Sequence, residues 1–562
     1  MSFLTTSDVT KLSILSKRFF SLWASFPVID LHQQQTFAPT HQATNAFLDH
    51  VHNSVRLRGK DIVLSEFRLN ANLQGIFADE RFDFAILFAL ANGVKCMELN
   101  LGFAEYLLPA QFASESIHVL RLQGLKLDLL NLIQVCPSLR TVSLTSCVIN
   151  PQDIKVSSKT LTEIQLRSCG VRSVKINAPN LHLFLFDSGN EITNPKPCQI
   201  DVLQCQNLIC LSLNNVINGR DDWIEEHVYS LSKLKTFILN GCQDIERIKV
   251  WNDKLERVEF SNCHVLTSIQ LKATSLESFV YESAHWDRVC NITFLASKCI
   301  KHLSITKGAA FTDQWLEAQL AKMTSLKKLR LETCYSLRKI KVFHEKLERL
   351  ELYGCYGLVE ADINTPQLVS FKYHGKIIKV VKMVTKSNCT ATLSMEPRIT
   401  YDNESFCRWY KMLSFFGYCK ALKLICSTHM EVMIPELLRE RLVSPLYDLQ
   451  NLEIEINSLE KIDKDLVDSL LWLSPLPKTL HIFSGPPSTL QMIIKFVYSD
   501  MIEEEEEDKN PFCCASKPIK CWKHHLKSLE IQSSDVSPNS GSIELQKYFL
   551  TNAKIPIRFV SA

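Results

Sequence analysis

The chain has 562 residues, of which 46% are apolar, and it contains only 20 prolines and 16 glycines. This composition supports an extensive core and excludes collagen-like, linker-dominated and broadly disordered proteins. The formal net charge of +3 does not indicate an obligatory polyanionic partner, so we expect no nucleic-acid binding.

Signature motifs of common enzymes and metal sites are missing. No two glycines are separated by a single residue, which excludes GxGxxG, and neither GxSxG nor GxxxxGK occurs. The 20 cysteines form no CxxC pair, and HExxH is absent. We therefore expect a protein that is not an enzyme and uses no cofactor or metal. The local Cys/His cluster Cys513, Cys514, Cys521, His524 and His525 matches no common zinc spacing.

Targeting signals are equally sparse. No apolar run approaches the 18 residues of a membrane span, and the amino terminus lacks the apolar core of a secretory signal. We expect a cytoplasmic or nuclear protein with reduced thiols and no membrane partner. The basic, Ser/Thr-rich first 25 residues also allow a mitochondrial presequence.

The amino-terminal segment has apolar residues at helical spacing. Val9, Leu12, Leu15, Leu22 and Trp23 could form an amphipathic helix that covers the first coil of the array that follows. We assign residues 36–90 to a connection of helices and strands that caps this array.

Residues 91–385 carry a repeat, L-x-x-L-x-L, often followed by x-x-C, whose successive first positions lie 20 to 27 residues apart. That interval is typical of leucine-rich repeats. The six clearest copies end on Cys147, Cys169, Cys242, Cys263, Cys334 and Cys355. Weaker copies begin at Val94, Ile117, Leu181, Leu208, Leu276, Ile300 and Leu368.

Each copy predicts one short strand with a buried face, because apolar and polar residues alternate. Stacked coils would bury a continuous core beneath a parallel sheet, with the repeated cysteines inside it. Apolar triplets offset by half a repeat, such as Ile245, Ile248 and Val250, predict strand or extended chain on the opposite side. Residues 222–231 and 314–323 have helical spacing and predict a helix in each of those two turns.

A block of coils is duplicated within the array. Residues 231–260 and 323–352 align at an offset of 92 with 12 identities in 30. We assign the two copies to 208–290 and 300–382. The predicted fold class is thus α/β, a curved leucine-rich-repeat solenoid with a parallel sheet on one face and short strands or helices on the other.

The pattern loosens in residues 386–500, which we predict to be irregular, helix-containing repeats. Phe406, Trp409 and Leu413 indicate a helix before Leu422, and the stretches 431–442 and 463–473 are also helix-like. Residues 501–562 begin with the acidic run Glu503–Asp508, interpreted as a solvated loop. A strand at 526–531 and a helix at 543–553 follow.

The amino-terminal residues resemble part of a plant F-box. The resemblance rests on Phe3–Val9, Leu15-Ser16-Lys17-Arg18-Phe19 and Leu22–Pro27. The family's F-box usually opens with a Leu-Pro-x-x-x-Leu-x-x-Ile helix, which would precede Met1, and position 19 is Phe where Trp is usual. The resemblance therefore implies a partial, N-terminally truncated F-box at 1–35. It implies adaptor-binding roles for Leu4, Val9, Leu12, Leu15, Ser16, Leu22, Trp23 and Pro27.

The carboxyl-terminal segment resembles the FBD segment that often ends plant F-box/leucine-rich-repeat proteins, through Cys521-Trp522, Leu526–Ile531 and Glu544–Ala553. Membership in this family implies a substrate-recognition adaptor in a Skp–cullin–F-box ubiquitin ligase. Its partners would be a Skp-family adaptor with its cullin complex, and a protein substrate. The alternative is a binding scaffold, a truncated paralogue that does not join the ligase.

The candidate substrate-binding surface is the outward face of the strands. Residues that alternate with the buried leucines should point to solvent and form a mixed-charge strip. Such a strip suits a protein partner better than nucleic acid, although an ordinary soluble repeat face is an equal alternative. The residues are Thr236, Ile238, Arg257, Glu259, Lys328, Arg330, Arg349, Glu351 and Tyr353.

Overall fold

The computed structural model describes most of the chain. The described residues are 11, 13–33, 41–58, 62–73, 75–102, 105–189, 198–217, 221–385, 389–396, 403–486, 489–498, 522–534, 541–553 and 557–561. They fall into two compact units, Met1–Leu276 with Cys290–Ala296, and Glu277–Val289 with Ser297–Ala562. We call these the first and second units and describe each by itself.

Helices are few among the residues that the structure describes. They are α1 Lys17–Ala24, α2 His41–Arg56, α3 Glu80–Ala91, α4 Leu129–Val135, α5 Asp221–Ser230, α6 Asp313–Leu320, α7 Asn403–Ser414, α8 Glu436–Arg439, α9 Lys464–Leu473, α10 Trp522–His525 and α11 Gly541–Ala553, with a 3-10 turn at His429–Glu431.

Strands dominate both units. Up to residue 272 they are β1 Val28–His32, β2 Glu66–Asn70, β3 Cys96–Asn100, β4 Tyr106–Leu107, β5 Val119–Gln123, β6 Leu125–Leu127, β7 Thr141–Thr145, β8 Val148–Ile149, β9 Asp153–Ser157, β10 Glu163–Arg167, β11 Ser173–Asn177, β12 Leu183–Asp187, β13 Gln199–Asp201, β14 Cys210–Asn214, β15 Thr236–Asn240, β16 Arg247–Trp251, β17 Arg257–Cys263 and β18 Ser268–Lys272. The others are β19 Ser278–Ser283, β20 Asn291–Phe294, β21 His302–Thr306, β22 Lys328–Glu332, β23 Lys339–Phe343, β24 Arg349–Tyr353, β25 Glu360–Asn364, β26 Ser370–Gly375, β27 Val380–Val384, β28 Thr390–Met395, β29 Ala421–Cys426, β30 Asn451–Ile456, β31 Thr479–Ser484, β32 Leu490–Tyr498, β33 Leu526–Ser533 and β34 Ile557–Ser561.

The first unit is a β-solenoid. Its main sheet is parallel, in the order β1-β2-β3-β5-β7-β10-β12-β14-β15-β17. Small parallel sheets, β4-β6-β8, β9-β11-β13 and β16-β18-β20, lie on the other side of the coils. Equal repeat positions stack, for example Val142 beside Ile164. The predicted leucine-rich-repeat solenoid and its opposite-side strands are confirmed.

The main sheet begins earlier than the repeat pattern suggests. Strands β1 and β2 pair in parallel with each other, and β2 pairs with β3. Residues within the segments that we assigned to 1–35 and 36–90 therefore already contribute coils to the array. The domain boundaries remain predictions.

The second unit repeats this architecture and then changes it. The order β19-β21-β22-β24-β26-β28-β29-β30-β31 is parallel, with the small sheet β23-β25-β27 on the other side. Strand β32, which the sequence did not indicate, pairs antiparallel with β31 and with β33. Helix α11 packs on α9, where Tyr548 Oη donates to Asp468 Oδ1 at 2.5 Å.

The repeated cysteines occupy the core. All six are buried, and each follows a residue in the left-handed region of φ, for example Ser146 at 50° and Gly354 at 60°. That bend turns the chain inward, so that the thiol contacts carbonyls such as Leu122 O, 3.4 Å from Cys147 Sγ. A hydrogen bond with the Cys263 thiol, together with burial, raises the pKa of Cys242. The thiol of Cys242 is therefore protonated at neutral pH.

The internal duplication is visible in three dimensions. The bounds of β15 and β22, and of β16 and β23, differ by 92 residues at both ends. Helices α5 and α6 occupy the same place in their copies, as predicted. Asn252 and His344 are also equivalent: Asn252 Nδ2 donates to Leu231 O at 3.0 Å, and His344 Nε2 lies 2.8 Å from Met323 O.

Two helical expectations require correction. Residues 431–442 do not form one helix, because Pro435 disfavours helical geometry in the preceding residue and lacks an N–H; the helical part is α8. A helix running from Val9 to Trp23 is also not observed. Residues 14–16 form a break, and Ser16 caps α1 by accepting from Phe19 N at 3.3 Å.

Candidate functional site: the amino-terminal helix and the strand faces

The amino-terminal site residues are only partly described. Leu4, Val9 and Leu12 lie outside the described residues. Leu15 is 68% exposed and Leu22 40% exposed. Because these apolar side chains face solvent, they do not cover a coil as the capping interpretation requires. They are instead available to a partner.

One side chain of α1 attaches the helix to the unit. Trp23 is buried, and the Arg58 guanidinium lies 4.2 Å above its ring. Arg58 Nη1 donates to the carbonyls of Trp23 and Phe26, which satisfies the carboxyl-terminal end of α1. Burial lowers the pKa of Arg58 to about 10, so it remains cationic at neutral pH. Pro27 O accepts from Ser65 N at 2.8 Å and ties the following turn to β2.

Around β15 the strand face of the first unit carries one compensated ion pair. Thr236 and Ile238 point outward from β15, and their strand neighbours are Arg257 and Glu259. Arg257 Nη2 lies 2.8 Å from Glu259 Oε2. Their charges therefore compensate each other, and the apolar Ile238 side chain adjoins the pair.

The strand face of the second unit is an ion-pair network. Glu351 lies between two cations, with Oε1 at 3.2 Å from Lys328 Nζ and Oε2 at 3.7 Å from Arg330 Nη1. The Glu351 side chain is only 9% exposed. Arg330 also pairs with Glu332 at 2.6 Å. The acidic groups of these strands thus already have partners.

Tyr353 and Arg349 complete the predicted set. Arg330 Cζ lies 5.1 Å above the Tyr353 ring, a cation–π contact. Burial and the charge of Glu351 raise the pKa of Tyr353. Arg349 is exposed beside Lys328 on the neighbouring strand. The structure therefore brings Lys328, Arg330, Arg349, Glu351 and Tyr353 together within the second unit.

Sequence reasoning missed a row of aromatic residues. Trp286 is 66% and Tyr335 43% exposed, with ring centroids 6.5 Å apart, and Tyr356 stacks 6.1 Å beyond. Tyr335 and Tyr356 each follow a repeated cysteine, where the first copy has Gln243 and His264. Comparing the two copies at that position would have revealed the two tyrosines of the row.

A shallow groove of about 360 Å³ lies farther along the face of the second unit. Small side chains, including Thr392 and Ala421, form part of its lining. Lys423 at its edge pairs with Glu453 at 2.8 Å and with Glu455 at 2.6 Å. The groove extends the polar strand face.

The structure describes little of the Cys/His cluster. Cys513, Cys514 and Cys521 lie outside the described residues, while His524 and His525 belong to α10. Among the described residues no group of three or more His, Cys, Asp or Glu side chains could hold a metal ion. None of the described helices is both long and apolar enough to span a bilayer.

The coils, the stacked parallel strands and their outward faces define a leucine-rich-repeat fold. In agreement, residues 299–484 match the family model described as At1g61320/AtMIF1, LRR domain. Two relatives come from Arabidopsis thaliana. The chain is 28% identical over 305 residues to F-box/LRR-repeat protein At3g58900, covering 46% of this chain and 91% of the relative. It is 24% identical over 247 residues to F-box/LRR-repeat protein At4g14096, covering 41% of this chain and 51% of that relative.

We expect Glu351→Gln to destabilise the protein by about 1 kcal/mol, because it leaves two neighbouring cations without their shared carboxylate. Urea denaturation measures the loss. Glu259→Gln is the matched control, since Glu259 is more exposed and pairs with one arginine; it should cost less than about 0.5 kcal/mol. Equal losses would contradict the shared-carboxylate arrangement.

Proposed function

We propose that the chain is the substrate-recognition subunit of a Skp–cullin–F-box ubiquitin ligase. The amino-terminal helix would hold a Skp-family adaptor, and the strand faces would hold a protein substrate. Ubiquitin transfer belongs to another protein, so no residue of this chain acts as acid, base or nucleophile. The chain would need no cofactor and would work in the cytoplasm, the nucleus or both.

The proposal rests on the apolar side chains that α1 and the residues just before it expose to solvent. Leu15, Phe20 and Leu22 expose apolar surface while the buried Trp23 holds the helix against Arg58. A helix anchored at one residue and apolar on its exposed side is suited to docking another protein. The printed names of both Arabidopsis relatives support the F-box assignment. We also propose that the carboxyl-terminal segment is the FBD segment that such proteins often carry.

Co-purification with a Skp-family adaptor tests the proposal. The adaptor should bind the full chain, and Leu15→Asp/Leu22→Asp should abolish binding without changing the thermal transition. Val384→Asp is the matched control, because Val384 is 60% exposed on the small sheet of the second unit. It should bind the adaptor normally.

Failure of the wild-type chain to bind the adaptor would exclude the ligase role. The alternative, a leucine-rich-repeat scaffold that binds proteins outside the ligase, would then stand. Restored binding after grafting a Leu-Pro-x-x-x-Leu-x-x-Ile helix before residue 1 would show that adaptor binding requires such a helix.

A further inference from the structure

Four cations cluster on the outward face of β22, β24 and β26 in the second unit. Lys328 and Arg349 are strand neighbours, and Arg330 and Lys372 flank Glu351 in the next row. Equal positions on adjacent parallel strands are about 4.8 Å apart. We name this surface, Lys328, Arg330, Arg349 and Lys372, the basic face.

The basic face has more positive charge than its own acidic residues neutralise. Glu332 and Glu351 are engaged by Lys328 and Arg330. Within the part of the chain that the structure describes, Arg349 and Lys372 make no ion pair, and both are exposed. Burial and the charges of Lys328 and Arg349 lower the pKa of neighbouring His302, as expected in a positive potential.

The duplication shows that this charge is not needed for folding. At the offset of 92, Lys328, Arg330 and Lys372 correspond to Thr236, Ile238 and Val280, while Arg349 corresponds to Arg257. The same coil therefore forms with one cation at the four positions. In the first copy Arg257 pairs with the carboxylate of Glu259. Arg349 and Glu351 are the equivalent residues of the second copy, so Arg349 can pair with Glu351 when Lys328 and Arg330 are replaced.

We propose that the basic face binds a carboxylate-rich, acidic segment of a protein partner. Two exposed cations without acidic partners attract carboxylates and orient an approaching chain, since complementary charge directs association. Tyr353 beneath Arg330 adds a flat contact surface to the centre of the face. The inference rests on the proposed function, because it names the chemistry of the substrate that the strand face would recognise.

The test uses the full chain and a fluorescein-labelled hexaglutamate peptide, followed by fluorescence anisotropy. Binding should be measurable at low salt and should weaken as ionic strength rises. Lys328→Thr/Arg330→Ile/Lys372→Val, which introduces the residues of the first copy, should weaken binding at least about tenfold, with the thermal transition lowered no more than by Glu351→Gln.

The matched control removes three cations from the small sheet of the same unit by the same substitutions, Lys339→Thr/Lys341→Ile/Lys382→Val. It should bind hexaglutamate like the wild type. The proposal is overturned if the wild type does not bind hexaglutamate or binds hexalysine equally well. An equal loss in the control variant also overturns it, because net charge alone would then explain binding. If the chain bound a phosphoserine peptide but not hexaglutamate, the carboxylate assignment would be wrong and the ligand of the basic face would be a phosphate.

These outcomes are separable from the ligase proposal. Adaptor co-purification depends on the amino-terminal helix, so its failure leaves the peptide result intact. Conversely, a chain that binds the adaptor but not hexaglutamate would retain the ligase role and lose the acidic-segment assignment.

Discussion

Leu329→Asp should eliminate the cooperative unfolding transition of the second unit. Leu329 is fully buried, and its strand neighbours Leu303 and Leu350 are equally enclosed. An aspartate there places an unpaired charge in a core that adjacent coils share, which costs about 4 kcal/mol or more. Because neighbouring repeats stabilise each other, the loss should spread to several coils. Circular dichroism during thermal denaturation measures it.

Arg330→Ala is the adjacent control. Its side chain is 39% exposed and pairs with Glu332 at the surface, so its removal should cost less than about 1 kcal/mol. Comparable losses at positions 329 and 330 would mean that the strand does not present opposite faces to core and solvent.

Trp23→Ala should release the amino-terminal helix while leaving the rest of the first unit folded. Trp23 is 5% exposed and stacks beneath Arg58. Its truncation leaves a cavity and a buried guanidinium without its ring, which costs about 3 kcal/mol of local stability. Limited trypsin digestion should then cleave after Arg18 on the order of 100-fold faster.

Leu15→Ala supplies the comparison on the same segment. Leu15 is 68% exposed, so its truncation should leave the cleavage rate near that of the wild type. If Trp23→Ala is cleaved no faster, another contact holds α1. Adaptor binding should fall with Trp23→Ala if an ordered helix is what the adaptor recognises.

The repeats could be predicted because their signal is local. Each strand alternates buried and exposed residues within five positions, and the stacking of coils follows from repetition. The helices α5 and α6 and the buried cysteines were predicted for the same reason. In residues 431–442 the apolar pattern continued through Pro435, and backbone chemistry prevailed over the pattern.

The strand-face site was less predictable because its charge depends on contacts between side chains of neighbouring strands. The sequence indicated mixed charge on the strip, but which charges cancel depends on the reach of side chains across neighbouring coils. Glu351 contacts Lys328 and Arg330, 23 and 21 positions earlier. The Trp23–Arg58 contact likewise joins residues 35 positions apart. Only an alignment of the two copies would have separated the charged face from its neutral counterpart.

The reversal of strand direction between β31 and β32 has a consequence for how the chain could have lengthened. A coil inserted among parallel strands meets the same hydrogen-bonding pattern on both sides, so a duplicated block fits without redesign. A coil inserted after β31 would have to pair with a strand running the other way. The reversal therefore disfavours growth directly after β31, and the 92-residue duplication lies before that point.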